Sequence, residues 1–74
     1  MDEEIAEWCQ EGRSKGAVYM ITVSSLDDDG YDYPVYVYTT ASLPQILHDL
    51  YRDDDILVGD MYDISTGKVV QENI

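Results

Sequence analysis

Acidic residues outnumber basic residues by 16 to 4 in this chain of 74 residues, so the formal net charge at pH 7 is −12. These carboxylates must stay in water when the chain folds, because burying an unpaired charge is very costly. The apolar fraction of 45% is nevertheless typical of a globular protein and not of a disordered acidic tail. We therefore expect a single small domain, spanning residues 1–74, whose apolar side chains lie on a few short elements.

Two segments have the apolar spacing of an amphipathic helix. The first spans residues 2–11 and is predicted to end at Gly12. Its apolar positions, spaced i, i+3, i+4, are Ile5, Trp8 and Cys9. The second is predicted to begin at Ser42, which fits a capping box with Gln45. Its apolar positions, spaced i, i+3, i+4, i+7, are Leu43, Ile46, Leu47 and Leu50.

Four segments are typical of strands, because β-branched and aromatic residues dominate them. They are residues 17–26, 33–40, 56–64 and 69–72. Alternation places the apolar side chains of the first strand, Tyr19, Ile21 and Val23, on one face. In the second strand Val35 and Val37 face away from Tyr36 and Tyr38, and Pro34 indicates either an edge strand or the entry into a strand.

Polar turns connect these strands. Residues 27–32 offer Gly30 for a positive φ angle, and residues 65–68 offer Gly67 in a hairpin turn. The predicted order is α-β-β-α-β-β, and the predicted class is α+β: a small antiparallel sheet with its helices packed on one face.

The acidic residues form clusters separated by nearly neutral elements. Residues 1–12 contain five acids, and two further clusters comprise Asp27, Asp28, Asp29 and Asp32, and Asp53, Asp54, Asp55 and Asp60. The run 53–55 follows the end of the second helix, where the helix dipole disfavours each negative charge by about 0.3–1 kcal/mol at low salt. A small domain gains no stability from such runs, which favours a role in binding over a role in folding. The alternative is that acidic loops only keep the protein soluble.

At the level of size, charge and coarse architecture, the chain resembles the small acidic phage-encoded inhibitors that block CRISPR effectors or restriction enzymes. Many members of that class mimic DNA with carboxylates and have no active site. The resemblance implies an inhibitor that occupies the basic groove of a nucleic-acid-binding complex. It rests on no sequence motif, so it assigns no role to any individual residue.

The residues argue against several kinds of chemical site. With Gly30 at position 6 of an EF-hand loop, position 12 is Tyr36 instead of a bidentate glutamate. One histidine, His48, and one cysteine, Cys9, cannot supply a four-ligand zinc site. Gly67-Lys68 lacks the upstream glycine of a phosphate-binding loop. Clustered surface aspartates have nothing to raise the pKa of one of them, so we predict no enzymatic activity, no metal and no cofactor.

Two functional hypotheses remain. The first is the acidic inhibitor, whose contact residues would be the eight aspartates of the two clusters, with no direct binding of nucleic acid. The second is a regulatory or antitoxin-like protein–protein module that binds a basic partner through a tyrosine surface at Tyr31 and Tyr33.

The sequence begins Met1-Asp2-Glu3-Glu4, without the basic segment of a signal peptide, and contains no membrane-length apolar run. We therefore expect a cytoplasmic protein, of a bacterial host if it is phage-encoded, that is a monomer or a weak homodimer.

Overall fold

The computed structural model describes residues 3–26 and 30–70, and within them the chain forms two helices and an antiparallel sheet. The elements are α1 (Glu3–Lys15), β1 (Tyr19–Ser25), β2 (Asp32–Val37), a single 3₁₀ turn (Thr40–Ser42), α2 (Leu43–Arg52), β3 (Ile56–Asp63) and β4 (Lys68–Val69). This confirms the α+β class and the predicted order, although β4 is only two residues long. Residues 71 and 72 of the predicted last strand lie outside the described residues.

The four strands lie in the order β2-β1-β3-β4, so β1 pairs with a neighbour on both sides. Its register with β2 runs from Tyr19 opposite Val37 to Ser24 opposite Asp32. β2 is an edge strand, as Pro34 predicts, because an edge tolerates the missing N–H of proline.

The two helices pack on opposite faces of this sheet, which corrects the prediction that they share one face. Successive residues of β1 are both apolar and both buried: Met20 packs with α1, whereas Ile21 packs with α2. Because side chains alternate along a strand, these neighbours face opposite sides. We name the sides the α1 face and the α2 face. Each face of the sheet is apolar and needs its own cover, so the two helices cannot both lie on one side.

The α2 face carries the larger core, and the sequence pattern predicted it well. Ile21, Val23 and Val37 are fully buried there. The apolar positions predicted for the second helix cover them: Leu43, Ile46, Leu47 and Leu50. The predicted alternation of β2 is also confirmed, since Val35 and Val37 pack on this face while Tyr36 packs with α1.

The first helix is longer than predicted, because Gly12 lies inside it and Gly16 ends it. Gly16 has a φ angle of 85°, in the left-handed region that only glycine adopts at no cost. Gly12 is buried, and a Cβ atom built on it would lie 2.7 Å from Cε1 of Tyr36. The glycine therefore allows α1 to approach the sheet closely.

The predicted capping box of α2 does not form. Ser42 is the N-cap residue but makes no side-chain capping hydrogen bond, and Gln45 instead donates to Oδ1 of Asp49 at 2.9 Å. Thr39 takes over the capping role, because its Oγ1 accepts from the backbone N–H of Ser42. The 3₁₀ turn between them leads directly into α2, so the capping group stands three residues earlier than predicted.

A β-bulge interrupts the pairing of β3 with β1. Ile21 lies opposite Met61 and Val23 opposite Val58, so Gly59 and Asp60 together face Thr22. The Oγ1 atom of Thr22 accepts from the N–H of Asp60 at 3.0 Å. Because of the extra residue, the side chains of Val58 and Met61, on either side of the bulge, both pack on the α2 face.

The hairpin turn before β4 forms as predicted, with Gly67 at a φ angle of 72°. Asp63 begins this turn, and its Oδ1 accepts hydrogen bonds from the Ser65 hydroxyl at 2.7 Å and the Ser65 N–H at 2.9 Å. These bonds hold the pKa of the Asp63 carboxyl below its ordinary value.

Candidate acidic interface

Two acidic segments that are distant in the sequence meet at one end of the sheet. β1 ends there at Ser25, which lies opposite Ile56, the first residue of β3. The N–H of Leu26 donates to the carbonyl oxygen of Asp55 at 2.8 Å. β2 also begins at this end, with Asp32 opposite Ser24. The structure therefore brings together Asp32, Asp53, Asp54 and Asp55, and we call this region the acidic end.

The aspartates that follow α2 form an ordered turn with exposed side chains. The N–H of Asp53 donates to the carbonyl oxygen of Leu50 at 3.2 Å and closes the helix. Oδ1 of Asp53 accepts from the N–H of Asp55 at 2.9 Å. The Asp53 carboxylate thus stabilises the turn. The hydrogen bonds described within the turn do not involve the side chain of Asp54.

Asp32 is held by a short bond across the sheet. Its Oδ1 accepts from the hydroxyl of Ser24 at 2.6 Å. This bond fixes one carboxylate oxygen on the α1 face, and the residue as a whole stays exposed.

The structure does not assign the rest of the predicted contact set to the acidic end. Asp60 lies in the bulge of β3, five residues from Asp55, which corresponds to about 16 Å along a strand. It therefore does not belong to the acidic end. Asp27, Asp28 and Asp29 lie outside the described residues.

Tyr31 and Tyr33 pack against each other beside the acidic end. Their ring centroids are 5.7 Å apart and the rings are tilted by 42°. Tyr33 is half-buried against the core of the α2 face, whereas Tyr31 is 58% exposed. Tyr33 thus supports the fold, and Tyr31 offers the ring face that a partner could contact.

The basic side chains are concentrated at the opposite end of the sheet, where each has a local acceptor or acidic neighbour. Nη2 of Arg13 donates to the carbonyl oxygen of Ile64 at 2.8 Å. Nζ of Lys15 lies 3.0 Å from Oε1 of Glu11, and Lys68 lies opposite Asp63 in the sheet register. Three of the four basic residues are thus at the far end, while Arg52 closes α2 next to the acidic end.

The described part of the chain contains no group of three or more histidine, cysteine, aspartate or glutamate side chains placed to hold a metal ion. Cys9 is buried, and that burial raises the pKa of its thiol, with a smaller opposing effect from Arg13. His48 is exposed on α2. Among residues 3–26 and 30–70, no helix has the length and apolarity needed to cross a membrane.

The sequence reasoning missed two exposed leucines near the acidic end. Leu26 is 59% exposed and Leu57 is 61% exposed. A signal for Leu57 was present, because it alternates with Ile56 and Val58, which pack on the α2 face. Leu57 must then lie on the α1 face, beyond the residues that α1 covers.

Comparison of the chain with protein-family models, with curated proteins and with solved structures finds no match.

Proposed function

We propose that the chain is an acidic binding protein that inhibits a nucleic-acid-binding complex by occupying its Lys/Arg-rich groove. The observation that carries the proposal is the 2.8 Å bond between Leu26 and Asp55, which joins the α2–β3 aspartate run to the end of β1. Carboxylates from separate segments then lie at the same end of the sheet, opposite the end that holds Arg13, Lys15 and Lys68.

The dimensions suit a nucleic-acid groove. The longest extent of the molecule is 32 Å. A DNA duplex of that length carries roughly 19 phosphate charges, counting both strands. The net charge of −12 is of the same order, and the carboxylates of Asp32, Asp53, Asp54 and Asp55 lie at the acidic end. A groove that binds phosphates through lysine and arginine would meet a comparable density of negative charge.

The acidic end also has an energetic cost that binding would remove. Asp53, Asp54 and Asp55 follow the negative end of the α2 dipole and repel one another. A basic partner would neutralise that repulsion and release the counterions that screen both surfaces. This cost in the free protein supports a binding role for the aspartate run.

A second candidate is a regulatory or antitoxin-like module whose main contact is aromatic. It is favoured by the exposed ring of Tyr31, which lies against Tyr33 beside the acidic end. An arginine of the partner could stack on this ring while its charge faces the carboxylates. Such binding would depend on Tyr31 and only weakly on salt.

The test uses basic DNA-binding complexes from the host as probes, with and without competing DNA, from about 50 to about 500 mM salt. The test variant is Asp54→Asn/Asp55→Asn, which keeps the turn hydrogen bond of Asp53. The matched control is Glu3→Gln/Glu7→Gln, which removes the same charge from exposed positions of α1. A third variant, Tyr31→Ala, tests the aromatic alternative.

We expect DNA to displace the wild-type protein from its target. The test variant should lower the slope of log affinity against log salt by about 2, one for each lost charge contact, and the control should lower it less. Binding that is indifferent to DNA and to salt, and that is lost in Tyr31→Ala, would replace this proposal with the aromatic module.

A further inference from the structure

Two large apolar side chains lie exposed on the α1 face of the sheet, at the acidic end. Leu57 lies opposite Ser24 in the register of β3 with β1. Leu26 follows Ser24 by two residues and continues the pairing through its bond to Asp55. Residues two apart on a strand share a face, so Leu26 and Leu57 are diagonal neighbours, about 7–8 Å apart.

The helix on this face covers the other end of the sheet. The strand residues that pack with α1 are Met20, Tyr36 and Tyr62, and Ala17 and Ile64 next to the strands join them. Farther along the same face, Leu57 and Leu26 remain about 60% exposed. Contiguous exposed apolar side chains with a polar rim are typical of surfaces that bind another protein.

Carboxylates border this leucine pair on two sides. Asp32 lies beside it on β2, where its Oδ1 is held by Ser24. Asp55 lies on the other side, immediately before β3, and its side chain is exposed. An apolar centre inside a charged rim is the arrangement in which binding energy concentrates, because the rim keeps water away from the centre.

We propose that Leu26 and Leu57 are the apolar anchor of the acidic interface, and that its partner is a protein segment carrying both basic and apolar side chains. The proposal rests on the proposed function and specifies the chemistry of the partner. Charge decides between possible occupants. A second copy of this chain would set two molecules of net charge −12 against each other, whereas lysine or arginine side chains would pair with Asp32 and Asp55.

Two synthetic peptides of equal length and equal charge separate the apolar contribution from the electrostatic one. One alternates lysine with leucine, and the other alternates lysine with serine. Binding of each is measured by titration calorimetry at several salt concentrations.

The test variant is Leu26→Thr/Leu57→Thr, since threonine keeps the β-propensity of the positions. The control, Val18→Thr/Val69→Thr, changes exposed apolar residues at the opposite end. Thermal unfolding checks that both variants fold.

We expect the wild-type protein and the control to bind the lysine–leucine peptide at least about tenfold more tightly than the lysine–serine peptide, the gain from burying about one leucine side chain. The Leu26→Thr/Leu57→Thr variant should lose this preference and keep the salt dependence of the wild type. Equal binding of the two peptides by the wild-type protein would overturn the inference, as would a preference that survives in the test variant.

The Asp54→Asn/Asp55→Asn variant distinguishes failure of this inference from failure of the proposed function. If the acidic end binds basic partners, this variant lowers the salt dependence for both peptides. If the salt dependence is unchanged while the leucine preference persists, the leucine pair is an apolar site and the electrostatic proposal is wrong.

Discussion

The hydroxyl of Tyr36 donates a hydrogen bond of 2.8 Å to the carbonyl oxygen of Trp8. The bond joins the edge strand β2 to the middle of α1, and the ring of the same tyrosine lies against Gly12 one helical turn later. Nζ of Lys15 is 5.4 Å from the centroid of the ring. One side chain therefore positions α1 on the sheet through a polar contact, a steric contact and a cation–π contact.

Replacing Tyr36 with phenylalanine should lower the free energy of unfolding by about 0.5–1.5 kcal/mol, the usual net worth of one hydrogen bond. The ring contacts with Gly12 and Lys15 remain in this variant, so the loss reports the hydroxyl alone. Urea unfolding followed by circular dichroism measures it. Tyr38→Phe is the control, because that tyrosine is 50% exposed. Equal stability of the wild type and Tyr36→Phe would contradict the assigned role of the hydroxyl.

The same tyrosine makes stability depend on alkaline pH. Burial raises the pKa of Tyr36 above its ordinary value, the negative charge of Glu11 adds to this, and Lys15 opposes it. The folded state therefore holds this proton more strongly than the unfolded state. This difference in pKa contributes to the free energy of unfolding. The contribution is fully present below pH about 10, the ordinary pKa of tyrosine, and is lost as the pH rises through the higher pKa of the folded state. The stability difference between wild type and Tyr36→Phe should shrink above pH about 10; a constant difference up to higher pH would argue against this coupling.

Alanine at Gly12 should destabilise the protein although alanine is the better helix former. In an unpacked helix the change would gain about 1 kcal/mol. Here the new Cβ would lie 2.7 Å from Cε1 of Tyr36 and 3.0 Å from Cδ1 of Ile64. The ring cannot move away without breaking its bond to Trp8, so we expect a net loss of about 1–3 kcal/mol, as in other overpacked sites. Thermal unfolding, with Ser14→Ala as an exposed helical control, tests this; a gain in stability would mean that α1 can shift.

The aspartate run after α2 should reduce stability in the free protein. Asp54 is exposed, and its charge stands beside the negative end of the helix and between two other aspartates. Asp54→Asn should therefore raise the free energy of unfolding by about 0.3–1 kcal/mol at low salt, and less at high salt. Asp53→Asn serves as a contrast, because the carboxylate of Asp53 accepts a hydrogen bond within the turn. If Asp54→Asn instead lowered the free energy of unfolding, the charge of Asp54 would stabilise the free protein and would no longer favour a binding role.

Side-chain periodicity predicted most of the fold but not the placement of the helices. The spacing of Leu43, Ile46, Leu47 and Leu50 predicted the apolar face of α2, and that face packs on the sheet. Periodicity shows that a helix has an apolar side, but not which side of a sheet it covers. The signal lay in β1, where Met20 interrupts the alternation of Tyr19, Ile21 and Val23 and makes the second face apolar as well.

The error at Gly12 has a similar cause. Ile5, Trp8, Cys9 and Gly12 are spaced i, i+3, i+4, i+7, so the glycine occupies the fourth position of the apolar stripe. A small residue at such a position permits close packing of the helix on the sheet, so this glycine continues the apolar stripe instead of ending the helix. Gly16, which has no atom within 4 Å of a built Cβ, is the glycine that the backbone requires.

The candidate site was predictable only in part. The aspartate runs are evident in the sequence, but the meeting of Asp55 with Leu26 depends on the order of the strands, which local patterns do not encode. Proximity in sequence places Asp60 in one predicted cluster with Asp53, Asp54 and Asp55. Successive residues of an extended strand are about 3.3 Å apart, so the five positions between Asp55 and Asp60 separate Asp60 from the other aspartates.

Met20 and Ile21 are neighbours in the chain, yet they belong to two separate cores on opposite faces of the sheet. Neither helix lies against the other's core. Strands β1, β2 and β3 contribute side chains to both cores, and β1 lies between the other two. Loss of either helix would expose one side of the same strand, and the two halves of the molecule should therefore unfold together. The amide hydrogens of β1, paired on both sides, would be the last in the domain to exchange with solvent.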